Sequence, residues 1–386
     1  MKFFISAGEA SGDIHAAALI AALRRERPDA RFIFLGGDKM AEAAATEPLI
    51  HYRDMAYMGF SEVIRNLDKV KANLARARQA VRSERPDALI LVDYPSFNLR
   101  LAKEAERLRI PIYYFIPPKV WAWKKRRGYK ISRMVRQVLS ILPFEDRFWH
   151  ENFGCEALYV GNPSVNEVDA KLAALPDRTE FLRSHGLDPD RPLLALLPGS
   201  RRGEIRNNLP IMDAVARRHP ELQAVIAAAP SPSLPDEVYT AVSSLPRIAD
   251  ATFELMAFAR AAMVTSGTAT LEAALIGVPQ VVCYRANGSR LSYELFKRIL
   301  NVDFVSLPNL IAGREVVAEQ LLHLCTPDLV DERLSPLLVD GPVRSAMLAG
   351  YADIRASLGN GDAASRAASI IVDDCEASAV GSVKDA

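Results

Sequence analysis

The sequence predicts an α/β protein with two doubly wound domains in tandem, and three observations predict it. Its 386 residues exceed the length over which one core usually keeps growing. Short, nearly continuous apolar runs alternate with amphipathic stretches of helical spacing, as in a parallel sheet covered by helices on both faces. The alternation stops at the Pro-containing segment "LDPDRP" (187–192) and then restarts, so this segment is expected to connect the domains.

In the first half the expected strands are "KFFISAG", "RFIFLGG", "ALILVDY", "PIYYFI", "QVLSIL" and "ALYVG". Helical spacing marks "DIHAAALIAALRRER", "NLDKVKANLARARQAVRSER" and "NLRLAKEAERLR" between them. After Gly161-Asn162-Pro163 comes a further helical stretch. Beyond the connector, "LLALLPGS", "QAVIAAAP", "AAMVTSG" and "PQVVCYRA" are the strands, with helices such as "TATLEAALIG" following. Two Rossmann-like domains are expected, 1–170 and 190–340, with C-terminal helices over 341–386. From Pro327 on only helices are expected, with the last dozen residues frayed.

Composition narrows the class. Apolar residues are 49% and charged residues 25%, which is ordinary for a globular chain and argues against extensive disorder. The N-terminal "MKFFISAGEASGD" is too short an apolar run for a signal peptide, and no stretch approaches the roughly 18 apolar residues that cross a bilayer. A cytoplasmic location is the expectation. Cys155, Cys283, Cys325 and Cys375 are scattered, and the six histidines show no metal-ligand spacing, so neither a disulfide framework nor a metal or other cofactor is signalled. "DPD" (188–190) reads as a turn. Residues 1–163 carry 27 Lys and Arg against 19 Asp and Glu, so the first half is the one suited to anionic partners.

Ligands of open α/β sheets sit beyond the carboxyl ends of the strands. Four such turns stand out. "SAGEASGDIH" has Gly8 and Gly12 for a tight turn and Ser11 or Asp13 to cap the helix, without the spacing of a dinucleotide fingerprint; structural and substrate-facing roles both stand. "TSGTATLEAALIGVP" puts Ser266, Gly267, Thr268, Ala269 and Thr270 where a strand gives way to a helix, so hydroxyls and free N–H groups can cradle a diphosphate, with Glu272 placed for ribose hydroxyls. The alternative is an ordinary capped helix. "LLPGSRRGEI" presents Gly199, Ser200 and Arg201, whose planar fork suits phosphate oxygens, while Arg202 can be merely solvated. "LILVDYPSFN" ends a buried strand on Asp93, a carboxylate that can take a proton from a hydroxyl if desolvated, or simply make a turn.

Taken in order, "AGEASGD", "MGFSEV", "DYPSFN", "PPKVWAW", "LPFE", "YVGNP", "LPGSRRGE", "SGTATLE" and "VSLPNLIAGRE" resemble the motifs of the lipid-A-disaccharide synthases, over about residues 4 to 325. One departure is Ile116-Pro117-Pro118, where relatives tend to have Ser before the second Pro. The resemblance implies a GT-B architecture, its two Rossmann-like domains facing a central cleft. It further implies an inverting, metal-independent hexosyl transfer from UDP-2,3-diacylglucosamine to 2,3-diacylglucosamine 1-phosphate, forming a β(1→6) bond and releasing UDP. By position, Asp93 resembles the catalytic base. Gly199, Ser200, Arg201, Ser266, Gly267, Thr268, Ala269, Thr270, Glu272, Asn309 and Glu315 resemble donor-site residues of the second domain. Gly8, Glu9, Ser11, Met58, Phe60, Val63, Asn98 and Trp121 are the acceptor or acyl-chain candidates of the first. The resemblance also implies a homodimer, in which the C-terminal helices are exchanged or else pack back on the first domain.

Acylated substrates imply peripheral association with the inner membrane of a Gram-negative cell. Leu67, Val70, Leu74, Ala77 and Val81 form an apolar stripe on a helix that also bears Lys69, Lys71, Arg76, Arg78, Arg82 and Arg85. A second basic run, from Lys124 to Arg136, follows Trp121 and Trp123, a pairing favoured at membrane interfaces. The same stripe can equally face the sheet, leaving its charges solvated. Two other functions remain in view: another enzyme on the same scaffold, such as a UDP-sugar epimerase, and a nucleic-acid binder. No recognised nucleic-acid module supports the latter.

Overall fold

The structure is a computed structural model that describes residues 1–55, 67–122, 125–229, 234–285 and 303–384. Met58, Phe60, Val63, Trp123 and Lys124 lie outside the described residues. The chain divides into two compact units, Met1–Pro163 with Asn360–Ala386, and Ser164–Gly359.

In the first unit the strands β1 (Lys2–Ala7), β2 (Arg31–Gly36), β3 (Ile50–His51), β4 (Ala88–Val92), β5 (Ile112–Phe115), β6 (Gln137–Ser140) and β7 (Ala157–Tyr159) form one parallel sheet, in the order β3-β2-β1-β4-β5-β6-β7. The helices are α1 (Ala10–Glu26), α2 (Asp38–Ala44), α3 (Leu67–Glu84), α4 (Pro95–Arg107), α5 (Arg126–Met134) and α6 (Glu145–Phe153). Period-two alternation sends Phe3, Ile5, Ile90, Val92, Tyr113 and Phe115 into one apolar layer, and Phe4, Leu89, Leu91 and Tyr114 into another. With both faces covered, each strand must be apolar throughout, and each such side chain contributes about 1.5–3 kcal/mol on burial.

The first layer is completed from the far end of the chain. Ala367, Ile371 and Val372 of the C-terminal helix (Ala363–Lys384) pack into it. Asp374 on the same helix accepts from the Tyr113 hydroxyl at 2.5 Å and pairs with Arg136. The second layer takes Leu74, Ala77 and Val81 of α3. Those three residues are therefore core and cannot also meet lipid. Of their basic companions, Arg82 forms a two-pronged pair with Glu104, at 2.7 and 2.9 Å.

The second unit begins with α7 (Pro163–Ala173, its first residue grouped with the first unit) and α8 (Arg178–Ser184). Strands β8 (Leu193–Leu197), β9 (Gln223–Ala228), β10 (Arg247–Ala249), β11 (Ala259–Thr265), β12 (Gln280–Tyr284) and β13 (Ala318–Leu321) form a parallel sheet ordered β10-β9-β8-β11-β12-β13. Its helices are α9 (Arg202–Ala216), α10 (Glu237–Thr240), α11 (Thr252–Phe258), α12 (Thr268–Ile276), α13 (Leu307–Ala312), α14 (Pro327–Leu334) and α15 (Pro342–Leu358). "LDPDRP" lies inside this unit. Gln223 accepts from the Asp188 N–H at 3.0 Å, and Asp188 in turn accepts from Asp190 N–H at 2.9 Å, which makes the "DPD" turn.

Strands β3, β10 and β13 escape the sequence pattern. All three are sheet edges, where a strand is short and only partly covered, so no continuous apolar run is required.

Candidate functional site

In the first unit the candidate centre is the turn from β4 into α4. Backbone φ is positive at Asp93 (42°), Tyr94 (44°) and, on the neighbouring strand end, Ile116 (57°). Such conformations cost about 1–3 kcal/mol each outside glycine and persist only where surrounding contacts impose them. Those contacts are present. The Asp93 N–H donates to the Ile116 carbonyl at 3.2 Å, and the Asp93 carbonyl accepts from the Tyr114 hydroxyl and the Asn98 amide, both at 2.7 Å. Asn98 also donates to the Val92 carbonyl at 3.2 Å and accepts from Ser6 Oγ at 2.7 Å. The ring of Tyr94 lies where a Cβ on Gly8 would stand, 2.2 Å from it, so only glycine fits there.

This turn leaves the Asp93 carboxyl partly buried. Burial pushes its pKa above the ordinary carboxylate value, opposed by the Tyr94 N–H and then by Lys119, Arg127 and His15. Burial also lowers the pKa of His15 on α1, against the pull of Asp93. Desolvation makes this carboxylate a stronger base, while Lys119 and Arg127 favour its ionised form, the form that can accept a proton.

The other first-unit candidates divide. Glu9 and Ser11 are exposed at the start of α1. Neither Ser11 nor Asp13 caps that helix. Asp13 instead reaches the next turn, accepting from Gly37 N–H at 2.6 Å, Lys39 N–H at 3.1 Å and Met40 N–H at 3.2 Å, and so caps α2. Asn98 is fully buried and its amide is occupied by the Asp93 turn, so it positions that turn. Trp121 is only 5% exposed. Its indole N–H donates to Glu145 Oε1 at 2.9 Å and its ring meets Phe144 edge-on at 5.4 Å, which removes it as a bilayer anchor.

In the second unit a cavity of about 360 Å³ opens at the ends of β8, β9 and β11. It brings together Gly199, Ser200, Arg201, Ser266, Gly267, Thr268, Ala269 and Glu272, far apart in sequence, within the size range of small-molecule sites. Gly267 is the N-cap of α12 and no side chain caps that helix end. The wall opposite is the turn into α9. Gly199 there has φ of 109°, and a Cβ would stand 2.5 Å from Glu204 Oε2. Glu204 accepts from Ser200 N–H at 3.0 Å and pairs with Arg201 Nη1 at 2.9 Å, and Arg201, its side chain largely exposed, is among the residues that line the cavity. Burial raises the pKa of Glu272, partly offset by Lys171, while Glu167 raises it further.

Thr270 does not line this cavity. It is fully buried and its hydroxyl donates to the Gly267 carbonyl at 2.8 Å, because the third helical residue after the cap turns toward the core. Asn309 and Glu315 line a separate hollow. The Asn309 side chain is spent within the fold, accepting from Val316 N–H at 2.7 Å and Val317 N–H at 2.9 Å and donating to Glu319 Oε1 and the Val317 carbonyl, both at 2.9 Å.

Three polar residues of this unit were not singled out in the sequence. Glu204 carries a readable signal, an acid three residues after a helix N-cap. Asn208 carries none: it donates to Thr265 Oγ1 at 3.0 Å and to the Pro198 carbonyl at 3.4 Å and accepts from Arg285 N–H at 2.6 Å, tying three strand ends together. Glu319 likewise acts only at a distance, accepting from the Val305 and Ser306 N–H groups.

Comparison with known proteins follows the same lines. The profile of the family described as lipid-A-disaccharide synthetase matches residues 3–369. The lipid-A-disaccharide synthase of Myxococcus xanthus is 41% identical over 379 residues, covering 96% of this chain and 97% of its own. That of Acidobacterium capsulatum is 39% identical, with 92% of each chain covered. Among solved structures, UDP-GlcNAc 2-epimerase from Neisseria meningitidis bound to UDP-GlcNAc aligns with a TM-score of 0.64 at 14% identity, covering 97% of this chain and 99% of its own. The glycotransferase of kitacinnamycin aligns at 0.57 and 15%, covering 96% and 98%. At such identities these structures bear on the fold alone.

Proposed function

The chain belongs to the lipid-A-disaccharide synthetase family, and from that premise we propose that it joins UDP-2,3-diacylglucosamine to 2,3-diacylglucosamine 1-phosphate with a β(1→6) bond and inversion at the donor carbon. The observation that carries this reading is the gathering of Gly199 to Arg201, Ser266 to Ala269 and Glu272 around one cavity at strand ends. An uncapped helix N-terminus and a guanidinium suit a diphosphate, and a carboxylate suits ribose hydroxyls.

In this mechanism Asp93 accepts the proton of the acceptor 6-hydroxyl as its oxygen bonds to the donor's anomeric carbon. The bond from that carbon to the diphosphate oxygen breaks, and the electron pair leaves with UDP. The N-terminus of α12 and Arg201 stabilise the charge so released. Asn309 supports the donor side by holding the chain that follows α13, and Asn98 supports the base. The enzyme works at an anionic membrane surface, where both acylated sugars reside, as a peripheral protein; no helix among the described residues is long and apolar enough to cross a membrane.

The test is to incubate purified protein with both acylated sugars in detergent micelles. Stoichiometric UDP and disaccharide are expected. Turnover of soluble UDP-N-acetylglucosamine without an acylated acceptor, and no disaccharide with one, would overturn the proposal in favour of an epimerase.

A further inference from the structure

A second hollow, of about 730 Å³, runs between α4 and α5 of the first unit. Its walls carry Arg100, Lys103, Arg126, Arg127, Lys130 and Arg133 against one carboxylate, Glu106. The spacing explains the convergence: 96, 99, 100, 103 and 106 lie on one face of α4, and 126, 127, 130, 133 and 134 on one face of α5. Elsewhere in this unit cations are commonly paired, as Arg82 is with Glu104 and Arg136 with Asp374. Among the described residues none of these six forms an ion pair. Six cations facing a single carboxylate repel one another, a cost that a further anion would relieve.

The hollow is not purely polar. Leu99, Tyr129 and Met134 line it between the cations, and Tyr129 remains 53% exposed while its ring packs edge-on against Phe153 at 4.9 Å. It also starts at the candidate centre. Pro95 and Ser96, which line one end, follow Asp93 by two and three residues, and Arg127 Nη2 donates to Ser96 Oγ at 3.0 Å. Arg127 is also one of the cations that lower the Asp93 pKa.

We propose that the α4–α5 groove is the acceptor's anchoring site, its cations holding the sugar phosphate and its apolar strip the adjoining acyl chain, so that the hydroxyl is presented to Asp93. This rests on the reading of the acceptor as an acylated sugar phosphate. A phosphomonoester fits better than a neutral sugar because paired guanidinium and ammonium groups gain most from a dianion with several acceptor oxygens. Lys130 and Arg133 are positioning and specificity residues in this scheme. They lie three and six residues along the helix from Arg127 and touch no reacting atom.

The experiment compares wild type with K130A/R133A in mixed micelles, using a saturating donor and two acceptors, 2,3-diacylglucosamine 1-phosphate and the same sugar lacking its phosphate. Both residues are exposed helix-surface positions, and alanine favours helix, so the variant is expected to fold; circular dichroism and UDP affinity check this. For the phosphorylated acceptor kcat/KM is expected to fall by about 10²-fold, chiefly through KM, at about tenfold per charged contact. For the unphosphorylated acceptor it should change less than about twofold. Equal losses with both acceptors, or none with either, would overturn the anchoring role. So would unchanged micellar kinetics combined with lost sedimentation on phosphatidylglycerol vesicles, which would assign the groove to the bilayer. Wild-type turnover serves as the separate check on the acceptor's identity. If wild type makes no disaccharide, the functional reading fails, and the groove is then judged by whether K130A/R133A weakens equilibrium binding of the phosphorylated sugar alone to the full chain.

Discussion

The side-chain amide of Asn98 donates to the backbone carbonyl of Asp93 at 2.7 Å, five residues back along the chain. The same amide holds the last carbonyl of β4 and receives the Ser6 hydroxyl from β1, so one buried residue fixes a strained turn to two strands. Asn98→Ala leaves the Ser6 hydroxyl and the Asp93 carbonyl short of a partner. A loss of about 1–3 kcal/mol in urea unfolding is expected, with kcat falling more than KM for the acceptor rises. Unchanged stability and rate would mean that the turn holds without this bond.

Asp93→Ala is expected to lower kcat by about 10²-fold or more while UDP affinity, measured by calorimetry, stays within about twofold. Parallel loss of UDP binding would make Asp93 a structural residue.

The acid limb of the rate profile should report the same carboxyl. A base acts only when deprotonated, so activity falls as pH drops through the Asp93 pKa, which burial sets above the ordinary carboxylate value. Lys119 opposes that rise. Lys119→Ala should therefore move the acid limb of kcat/KM to higher pH. A profile unmoved, or moved to lower pH, would rule out Asp93 as the titrating base.

Glu272→Ala should act on the donor side. Loss of a carboxylate that accepts ribose hydroxyls is expected to weaken UDP binding by about tenfold, with kcat at saturating donor largely kept. An undiminished UDP affinity would remove Glu272 from the nucleotide site.

Glu145 offers a test by stability. Its carboxyl is 2% exposed, Oε2 has no hydrogen-bond partner among the described residues, and burial raises its pKa to about 7 although Trp121 and Lys119 oppose the rise. In the unfolded chain it titrates near 4.3. Between those values the folded state binds the extra proton, so the contribution of this group is fully present below about 4.3 and is lost as pH rises to about 7. Glu145→Gln keeps an acceptor for the Trp121 N–H and cannot ionise. Relative to wild type it should gain stability as pH rises, by a few kcal/mol in denaturant unfolding between pH 4 and pH 8. A pH-independent difference would show that the carboxyl titrates normally.

The sequence alone determined the doubly wound class and most strands, because a sheet covered on both faces forces continuous apolar runs such as Phe3-Phe4-Ile5 and Leu89-Ile90-Leu91-Val92, and those need no partner to be read. It also marked the strand-end turns at Asp93, Gly199 and Ser266, where glycine and hydroxyl residues punctuate the runs. Tertiary structure decided what their neighbours do. Asn98, Trp121, Thr270 and Asn309 all read as substrate contacts, yet each points into its own unit and spends its polar groups there. Leu74, Ala77 and Val81 of α3 face sheet rather than lipid, and the last helix packs into the first layer, one of the two placements the resemblance had left open. Which of two available partners a side chain takes depends on what lies across from it, and residues such as Tyr113 and Asp374, more than two hundred positions apart, become neighbours only when the sheet closes.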